Sequence, residues 1–357
     1  MIRSPQALIK VIKNIFDRDY KLIYIVEEPE WSINWDGKQL TENLNSLALI
    51  KSRTSTTPIG LKNKIIHFGS IHTIINHGQI VNVNLSNYVV LTWFHLTDND
   101  KNIKFIPQLI KSVDCFHTAS QNTKKGLIDL GIPSEKIVVI PLGVNLDYFR
   151  PADSHQKTEL RTKLGLPIDK LIIGSFQKDG VGWKGGLQPK LIKGPDIFCE
   201  IMETLFKKNK NIHVLLTGPA RDYVKERLKK SNIPYTHVYV KKYLDMRDYY
   251  CTLDCYLMTS RQEGGPKAIL ESWATAIPFI GTKVGMIKDI ALEGENALFS
   301  EINDLNDLTE KVNKIITDEK FRQKLAVNGQ QEVLKYNWSK IAKKYYKDIY
   351  NIAINEN

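Results

Sequence analysis

The sequence predicts two doubly wound, Rossmann-like α/β domains, and three observations support this prediction. The 357 residues are too many for one typical domain and suit two. Short β-branched runs alternate with amphipathic stretches along the whole chain, as in parallel sheets covered by helices on both faces. The alternation lapses only near residues 147–156, where Pro151 interrupts it. We therefore expect one domain over residues 1–152 and a second over residues 153–335.

Ten apolar runs, five in each half, are the expected strands. They are 21–26, 64–69, 88–95, 114–120 and 136–144 in the first half, and 170–176, 212–218, 237–242, 254–260 and 278–282 in the second. Ligands of open parallel sheets bind beyond the carboxyl ends of the strands. Residues that directly follow these runs are therefore the first candidates for function.

Composition is that of an ordinary globular protein, with 42% hydrophobic and 25% charged residues. No apolar run approaches the roughly 20 residues that span a bilayer. The net charge of +11 favours phosphorylated or anionic partners, but the lysines are dispersed and form no basic and aromatic patch of the kind that binds nucleic acid. Four scattered cysteines suggest buried thiols in a cytoplasmic protein.

The first 20 residues predict an amphipathic helix rather than a secretory signal. Its apolar residues fall largely on one side, with basic residues nearby. The apolar set is Ile2, Leu8, Ile9, Ile12, Ile15 and Phe16, and the basic set is Arg3, Lys10, Lys13 and Arg18. Two interpretations stay open: the apolar stripe packs on the first sheet, or it attaches the protein peripherally to the inner face of an anionic membrane.

The most informative stretch is SRQEGGPKAILESWATAIPFI, residues 260–280, which follows an expected strand. Gly264 and Gly265 permit a close backbone approach, and Pro266 suits the first turn of a helix running to Thr275. The free N–H groups of that helix would bind an anion such as a phosphate. Glu263 and Glu271, with seven residues between them, would flank the anion; they could equally be solvated side chains.

Three segments together resemble retaining glycosyltransferases of family 4, the group 1 type with a GT-B fold. They are SRQEGGPKAILESWATAIPFIGT (260–282), DCFHTASQNTKKGLIDLGIPSEKIVVIPLGVNLDYFRP (114–151) and YNWSKIAKKYYKDIYNI (336–352). The resemblance covers about the last two thirds of the chain well and the first third poorly. It implies two Rossmann-like domains facing across a cleft. It also implies that residues 336–357 form a helix that crosses back to the N-terminal domain.

The resemblance also implies roles for the glutamate motif. Glu263 would contact hydroxyls of the donor sugar and act in catalysis, and Glu271 would contact the nucleotide ribose. Backbone amides around Gly264, Gly265 and Lys267 would hold the distal phosphate. The nucleotide-sugar donor is a substrate in such enzymes, and no cofactor is implied.

A departing nucleoside diphosphate needs positive charge, which the protein must supply if it uses no metal. In GSFQKDGVGWKGGLQPKLIKGPD, the resemblance assigns this role to Lys178 and Lys193. The family more often has an arginine at the first position and a shorter loop, so Lys193 is the firmer assignment. His95, at the end of the expected strand 88–95, would lie beside the reaction centre, whereas His117 is expected to be structural.

The same loop contains GVGWKG, a literal GxGxxG, so a dinucleotide-binding dehydrogenase must be considered. The next helix is expected only near Gly194, whereas a Rossmann fingerprint opens its helix at the third glycine. We favour a mobile glycine loop over the donor. Asp98 and Asp100 form a DxD-like pair, but they are not expected to bind a metal, and no other metal site is apparent.

The sequence therefore predicts a metal-independent retaining glycosyltransferase. It would move a hexose-type sugar from a nucleotide sugar, UDP before GDP, to a hydroxyl of a glycan or lipid-linked acceptor. A sugar-nucleotide epimerase, a glycogen-synthase-like polymerase and a silent carbohydrate-binding subunit are the alternatives. The expected loop 27–40 could line an acceptor site through Trp31, Trp35, Asp36 and Lys38, although core packing explains its tryptophans equally well.

Overall fold

The computed structural model describes residues 5–27, 32–97, 100–182 and 185–355, without the side chains of residues 6, 7 and 32. The chain divides into two compact units. Met1–Gly143 and Tyr336–Asn357 form the first unit, and Val144–Lys335 form the second. Trp31, Asp98 and the GxGxxG residues 183–184 lie outside the described residues.

The first unit contains a six-stranded parallel sheet in the order β2-β1-β3-β6-β7-β8. Its strands are β1 (Leu22–Ile25), β2 (Ser52–Ser55), β3 (Ile65–Phe68), β6 (Tyr88–Thr92), β7 (Cys115–Thr118) and β8 (Ile137–Val139), and β4 (Ile75–Asn76) and β5 (Gln79–Ile80) form a separate antiparallel pair. Its helices are α1 (Pro5–Phe16), α2 (Ser32–Ser46), α3 (Ile71–Ile74), α4 (Ile106–Ser112) and α5 (Gln121–Asp129). The central strands are fully buried, as their β-branched runs predict.

The second unit repeats this architecture with the parallel order β11-β10-β9-β12-β13-β14. Its strands are β9 (Leu171–Ser175), β10 (Ile212–Thr217), β11 (Tyr235–Val238), β12 (Cys255–Met258), β13 (Phe279–Thr282) and β14 (Leu298–Ser300). Its helices are α6 (Ser154–Lys163), α7 (Pro195–Lys208), α8 (Asp222–Lys230), α9 (Met246–Cys251), α10 (Lys267–Ala274), α11 (Ile287–Ile290), α12 (Leu305–Thr317) and α13 (Glu319–Val333). The prediction of two doubly wound parallel sheets is confirmed.

Each sheet has one strand that the sequence did not predict. β2 reads SRTS and lies at the edge of its sheet, where polar side chains are tolerated. β14 is also an edge strand and has only three residues. β11 was expected at 237–242 but begins at Tyr235, beside Pro234, whose carbonyl oxygen accepts from the amide of Val214 on β10. Apolar patterning therefore found the buried strands and missed one edge strand of each sheet.

Two segments near the N-terminus also differ from expectation. The first helix ends at Phe16, because the next residue, Asp17, pairs with Arg53 at 2.5 Å and accepts a hydrogen bond from the amide of Tyr20. Most of the expected loop 27–40 is helical, since α2 begins at Ser32. Gly37 lets this helix approach the Tyr24 ring so closely that an added Cβ would overlap it.

A directed chain of hydrogen bonds joins four buried side chains of the first unit. The carbonyl of Ile140 can only accept, so His117 carries its proton on Nε2, 2.9 Å from that oxygen. His117 Nδ1 then accepts from the Thr92 hydroxyl at 2.9 Å, and Thr92 accepts from His67 Nε2 at 2.7 Å. His67 Nδ1 is left to accept from the Tyr350 hydroxyl at 2.6 Å. Each ring is therefore neutral and fixed in one tautomer.

This chain reaches the C-terminal segment through Tyr350. The segment consists of α14 (Trp338–Tyr345), a π-helical turn (Tyr346–Tyr350) and α15 (Asn351–Asn355). The Tyr345 hydroxyl lies 3.0 Å from His117 Nε2, and both tyrosines are buried. Trp338 packs on Gly143, where an added Cβ would overlap the indole. These contacts fasten the C-terminal segment to the sheet of the first unit and give His117 a structural position.

We predict that the two histidines make the protein sensitive to mild acid. Burial, with a smaller effect of the neighbouring His117, lowers the pKa of His67 well below its usual range, and burial lowers the pKa of His117 to about 4. The unfolded chain binds their protons near pH 6.5, so their contribution is complete above that pH and is lost as pH falls toward 4. Each histidine should remove about 1.4 kcal/mol per pH unit in that window.

Urea unfolding at pH 7 and pH 5 measures this loss. His117→Gln should show a smaller loss between the two pH values than the parent protein. His155→Gln, at a side chain that is 82% exposed, is the matched control and should keep the parental loss. An unchanged loss in His117→Gln would contradict the assignment.

Candidate functional site

The site in the second unit forms where the loops after β9 and β12 meet. These strands are neighbours in the sheet, so their carboxyl ends lie at the same edge. Lys193, on the first loop, lies 2.5 Å through its Nζ from Oε1 of Glu263 on the second. The Ser260 hydroxyl donates to the same Glu263 oxygen at 2.8 Å. The two side chains are only 19% and 9% exposed, so the structure brings these two predicted residues into direct contact.

Two glycines allow the loops to approach this closely. Gly194 has a φ of +61° and lies against the Thr259 carbonyl, which an added Cβ would overlap. The Thr259 hydroxyl donates to the Gly194 carbonyl at 2.7 Å. Gly285, with a φ of +53°, lies against the carbonyls of Glu263 and Gly264 in the same way. A larger side chain at either position would push the glutamate loop away from its partners.

Helix α10 carries the second glutamate of the motif. It begins at Lys267, one residue later than expected, because Pro266 has an extended ψ of 104° and precedes the helix. Gly264 and Gly265 lie immediately before it, and the Gly264 carbonyl accepts from the amide of Met286 at 3.0 Å. The first N–H groups of α10 therefore follow the glycine turn directly, which is the arrangement that binds phosphate.

Glu271 is buried and held by two tyrosines that the sequence analysis missed. The Tyr250 hydroxyl donates to its Oε2 at 2.8 Å, and the Tyr243 hydroxyl donates to Oε1. The Lys267 ammonium lies 4.8 Å from the centroid of the Tyr243 ring. The two tyrosine hydroxyls therefore fix the orientation of this carboxylate. Nothing in the KKYLDMRDYY segment marks these tyrosines, because their role depends on tertiary packing.

A third lysine, also missed from the sequence, stands beside the two predicted ones. Burial, then the positive charges of Lys193 and Lys178, lower the pKa of Lys190, whereas Glu263 opposes them. Burial also lowers the pKa of Lys178. The Gln177 side chain donates to the Lys193 carbonyl at 2.8 Å and fixes the backbone between these lysines. The lysines and Glu263 therefore lie within electrostatic reach of one another.

The GxGxxG stretch belongs to a hairpin whose described arms are residues 179–182 and 185–190. Its arms pair through Gly180 and Pro189, and the Lys190 amide donates to the Asp179 carbonyl at 2.7 Å. The carbonyl of Gly185 accepts from the first amide of α8 at 2.9 Å, so the hairpin caps that helix. The helix that follows the hairpin in sequence, α7, begins at Pro195, well after the third glycine. This geometry is not that of a dinucleotide-binding fingerprint.

The hairpin is anchored by a buried ion pair. Arg221 and Asp179 are 0% and 1% exposed, and Arg221 Nε lies 3.0 Å from Asp179 Oδ1. Arg221 also donates to the carbonyls of Ser175 at 2.7 Å and Thr217 at 2.9 Å, at the ends of β9 and β10. Burial raises the pKa of Asp179 to about 6, against the lowering effect of Arg221. The pair fixes the backbone between Lys178 and Gly180.

The remaining candidates lie in the first unit. His95 is exposed and follows β6 by three residues, since that strand ends at Thr92 rather than at His95. Its carbonyl accepts from the Trp93 indole at 2.9 Å. On α2, Asp36 is buried, and the exposed Lys38 faces Glu42 at 3.9 Å. Catalytic and acceptor roles for these residues stay predictions.

Within the described ranges, no group of three or more His, Cys, Asp or Glu side chains has an arrangement that could hold a metal ion. In the same ranges, no helix combines the length and apolar character needed to cross a membrane.

Comparison with known proteins agrees with this fold. Residues 184–332 match the family described as glycosyl transferases group 1. An uncharacterised glycosyltransferase of Methanocaldococcus jannaschii is 27% identical over 161 residues, 44% of this chain and 45% of that protein. A Campylobacter jejuni N,N'-diacetylbacillosaminyl-diphospho-undecaprenol alpha-1,3-N-acetylgalactosaminyltransferase is 26% identical over 266 residues, 74% of this chain and 64% of that protein. The chain spans about half the length of the first curated relatives that it matches.

The fold likeness extends over nearly the whole chain. The Anabaena protein HepE, solved in complex with UDP-glucose, superposes with a TM-score of 0.73 at 14% identity, covering 93% of this chain and all of HepE. The fold is therefore GT-B, the class of two Rossmann-like domains found in many nucleotide-sugar enzymes. Within that fold, the second unit is similar to the group 1 glycosyltransferases, the family that matches residues 184–332.

We predict that removing the Asp179 carboxylate destabilises the protein strongly. Asp179→Ala leaves the buried Arg221 guanidinium without its counter-charge, which typically costs about 3–5 kcal/mol. The double variant with Arg221→Met should recover part of that loss. Urea unfolding measures both, with Glu301→Ala at the exposed Lys283–Glu301 pair as a control that stays near the parent. Additive losses in the double variant would show that the two residues do not depend on each other.

Proposed function

We propose that the protein is a retaining, metal-independent glycosyltransferase. It moves a hexose-type sugar from a nucleotide sugar to a hydroxyl of a glycan or a lipid-linked acceptor. The observation that carries this proposal is the contact of Lys193 with Glu263 directly before the glycine turn and the N-terminus of α10. This contact brings a cation and a carboxylate to the N-terminal end of α10 at the carboxyl edge of one sheet, the combination that binding of a sugar diphosphate requires.

The chemistry follows from charge development at the phosphate. As the glycosidic bond breaks, negative charge grows on the departing diphosphate, and a fixed cation stabilises it more in the transition state than in the bound donor. Lys193 and the amides before α10 supply that positive charge. The acceptor hydroxyl attacks from the face that the phosphate leaves, and a phosphate oxygen takes its proton. This front-face route gives retention.

Lys193 and Glu263 neutralise each other in their ion pair. Bound donor offers each of them a new partner, since the diphosphate takes the lysine and the sugar hydroxyls donate to the carboxylate. Ser260 continues to hold Glu263 from the other side. Glu271, already oriented by Tyr243 and Tyr250, accepts from the ribose. His95, in the first unit, is the further residue for which we propose a catalytic role.

UDP is favoured over GDP as the nucleotide because HepE, which shares the fold, was solved with UDP-glucose and with UDP. An acceptor carried by a lipid phosphate is supported by the Campylobacter relative, whose name specifies a diphospho-undecaprenol acceptor. These are properties of the relatives, and this chain shares only 14% and 26% identity with them. Both assignments are therefore proposed for this chain and define the first substrates to test.

Contact with a membrane fits an acceptor of that kind. Helix α1 buries Val11 and Asn14 against the first unit and leaves five large apolar side chains exposed. The exposed set is Leu8, Ile9, Ile12, Ile15 and Phe16, at 46–75% of their maximal exposure. Lys13 and Arg18 are exposed beside them. An apolar face with neighbouring cations suits the interface of an anionic bilayer on its cytoplasmic side.

We expect UDP-sugars to bind, raise the melting temperature and release UDP when a suitable acceptor is added. Glu271→Gln should still accept from one tyrosine and would donate to the other, but it loses the charged acceptor for the ribose, which should weaken UDP binding by about 1.5–3 kcal/mol. Calorimetry with UDP measures this change. Glu310→Gln, at an exposed glutamate of α12, is the matched control.

Failure of UDP-sugars and GDP-sugars alike to bind would sink the proposal. Binding without release of nucleoside diphosphate, across acceptors, would instead indicate a carbohydrate-binding subunit. Parental UDP affinity in Glu271→Gln would remove Glu271 from the ribose site.

We also expect co-sedimentation with vesicles that contain anionic lipid but not with neutral vesicles, reversed by high salt. Ile9→Gln together with Phe16→Gln should abolish it, because these are the two most exposed apolar side chains of the helix. Ile352→Gln, at an apolar side chain of α15 that is 45% exposed, is the control. No binding at low salt would refute membrane attachment, and a concentration-dependent dimer lost in the double variant would assign the face to a second copy.

A further inference from the structure

Lys178, Lys190 and Lys193 form a basic cluster in the second unit. Neither the glutamate motif nor the comparisons assign a role to Lys190. Lys190 begins the turn that ends in Lys193, and the Lys193 amide donates to the Lys190 carbonyl at 2.8 Å. Its own amide donates to the Asp179 carbonyl on the opposite arm of the hairpin. Lys190 is therefore held next to both predicted donor-binding lysines by backbone hydrogen bonds.

The hairpin backbone around Lys190 is held in place by buried contacts. The buried Asp179–Arg221 pair anchors one arm of the hairpin, and Gly185 and the next residue accept hydrogen bonds from the start of α8. An added Cβ at Gly180 would overlap the Ala220 carbonyl, so this part of the hairpin lies flat against the α8 loop. A lysine carried by such a frame loses little further backbone freedom when it binds a ligand.

The side chains of this cluster carry a net positive charge. Lys178, Lys190 and Lys193 carry three positive charges, and Glu263 is the carboxylate that interacts with them. The net charge of these four side chains is therefore about +2, and one lysine is already paired with the glutamate. The diphosphate of a nucleotide sugar carries about two negative charges near neutral pH, which matches this excess.

We propose that Lys190 binds the diphosphate of the nucleotide-sugar donor as a third cation beside Lys178 and Lys193; this rests on the proposed donor site. Its half-buried side chain is repelled by two neighbouring ammonium groups, and an incoming phosphate relieves that repulsion. Lys190 thus supplies positive charge for the diphosphate, because Glu263 neutralises part of the charge of Lys193.

Binding of UDP and of uridine to the full-length protein tests this role. Lys190→Met should weaken UDP binding about 10- to 100-fold, as expected for loss of a charged hydrogen-bond donor. Binding of uridine, followed by ligand-observed NMR, should stay within about twofold, since uridine lacks phosphate. Lys190→Arg should restore most of the UDP affinity, and Lys230→Met, at an exposed lysine of α8, should match the parent. The salt dependence of UDP binding should also decrease in Lys190→Met.

Three outcomes would overturn the inference. Parental UDP affinity in Lys190→Met would show that the side chain does not reach the diphosphate. Equal losses for UDP and uridine, with a lowered melting temperature, would give Lys190 a structural role. If the parent protein bound uridine and UDP equally, or neither, the donor site itself would be wrong, and the role of Lys190 would fall with it.

Discussion

The ion pair between Lys193 and Glu263 is the contact on which the candidate site depends. It joins the loops after two neighbouring strands, and it can form only because Gly194 and Gly285 bring those loops together. A pair that is mostly removed from water gains little net stability, because desolvation offsets the attraction. The pair instead positions a cation and a carboxylate at the glycine turn before α10. Ser260 and Gln177 fix the same two residues from their other sides.

In both units, buried polar contacts join a helical segment to the central sheet. In the second unit, Asp254 accepts from Lys157 at 2.8 Å, from Arg161 at 2.7 Å and from the amide of Ile172 on β9 at 2.7 Å, which ties α6 to the sheet. In the first unit, the histidine and tyrosine chain ties the C-terminal segment to β3, β6 and β7. Such contacts are costly to break because each leaves a buried polar group unpaired. They therefore specify which elements pack together, while the apolar strands supply most of the stability.

Much of the fold could be predicted from the sequence because buried parallel strands are continuous apolar runs. The edge strand β2 could not be predicted in this way, because SRTS is not an apolar run and buries only one of its side chains. Helix α2 was read as a loop because Gly37 and Asp36 suggest a turn, yet both are buried in the packing of α2. The glutamate motif could be found because its chemistry lies within one short stretch. Tyr243, Arg221 and Lys190 could not, since their roles arise from contacts between distant segments.

A crystal structure of the protein with UDP tests the central claim most directly. The account predicts that the diphosphate lies at the N-terminus of α10, within hydrogen-bond distance of Lys193. The ribose hydroxyls should lie on Glu271, with the tyrosine contacts to that carboxylate retained. UDP bound elsewhere in the second unit, with the Lys193–Glu263 pair closed and the glycine turn unoccupied, would contradict the account.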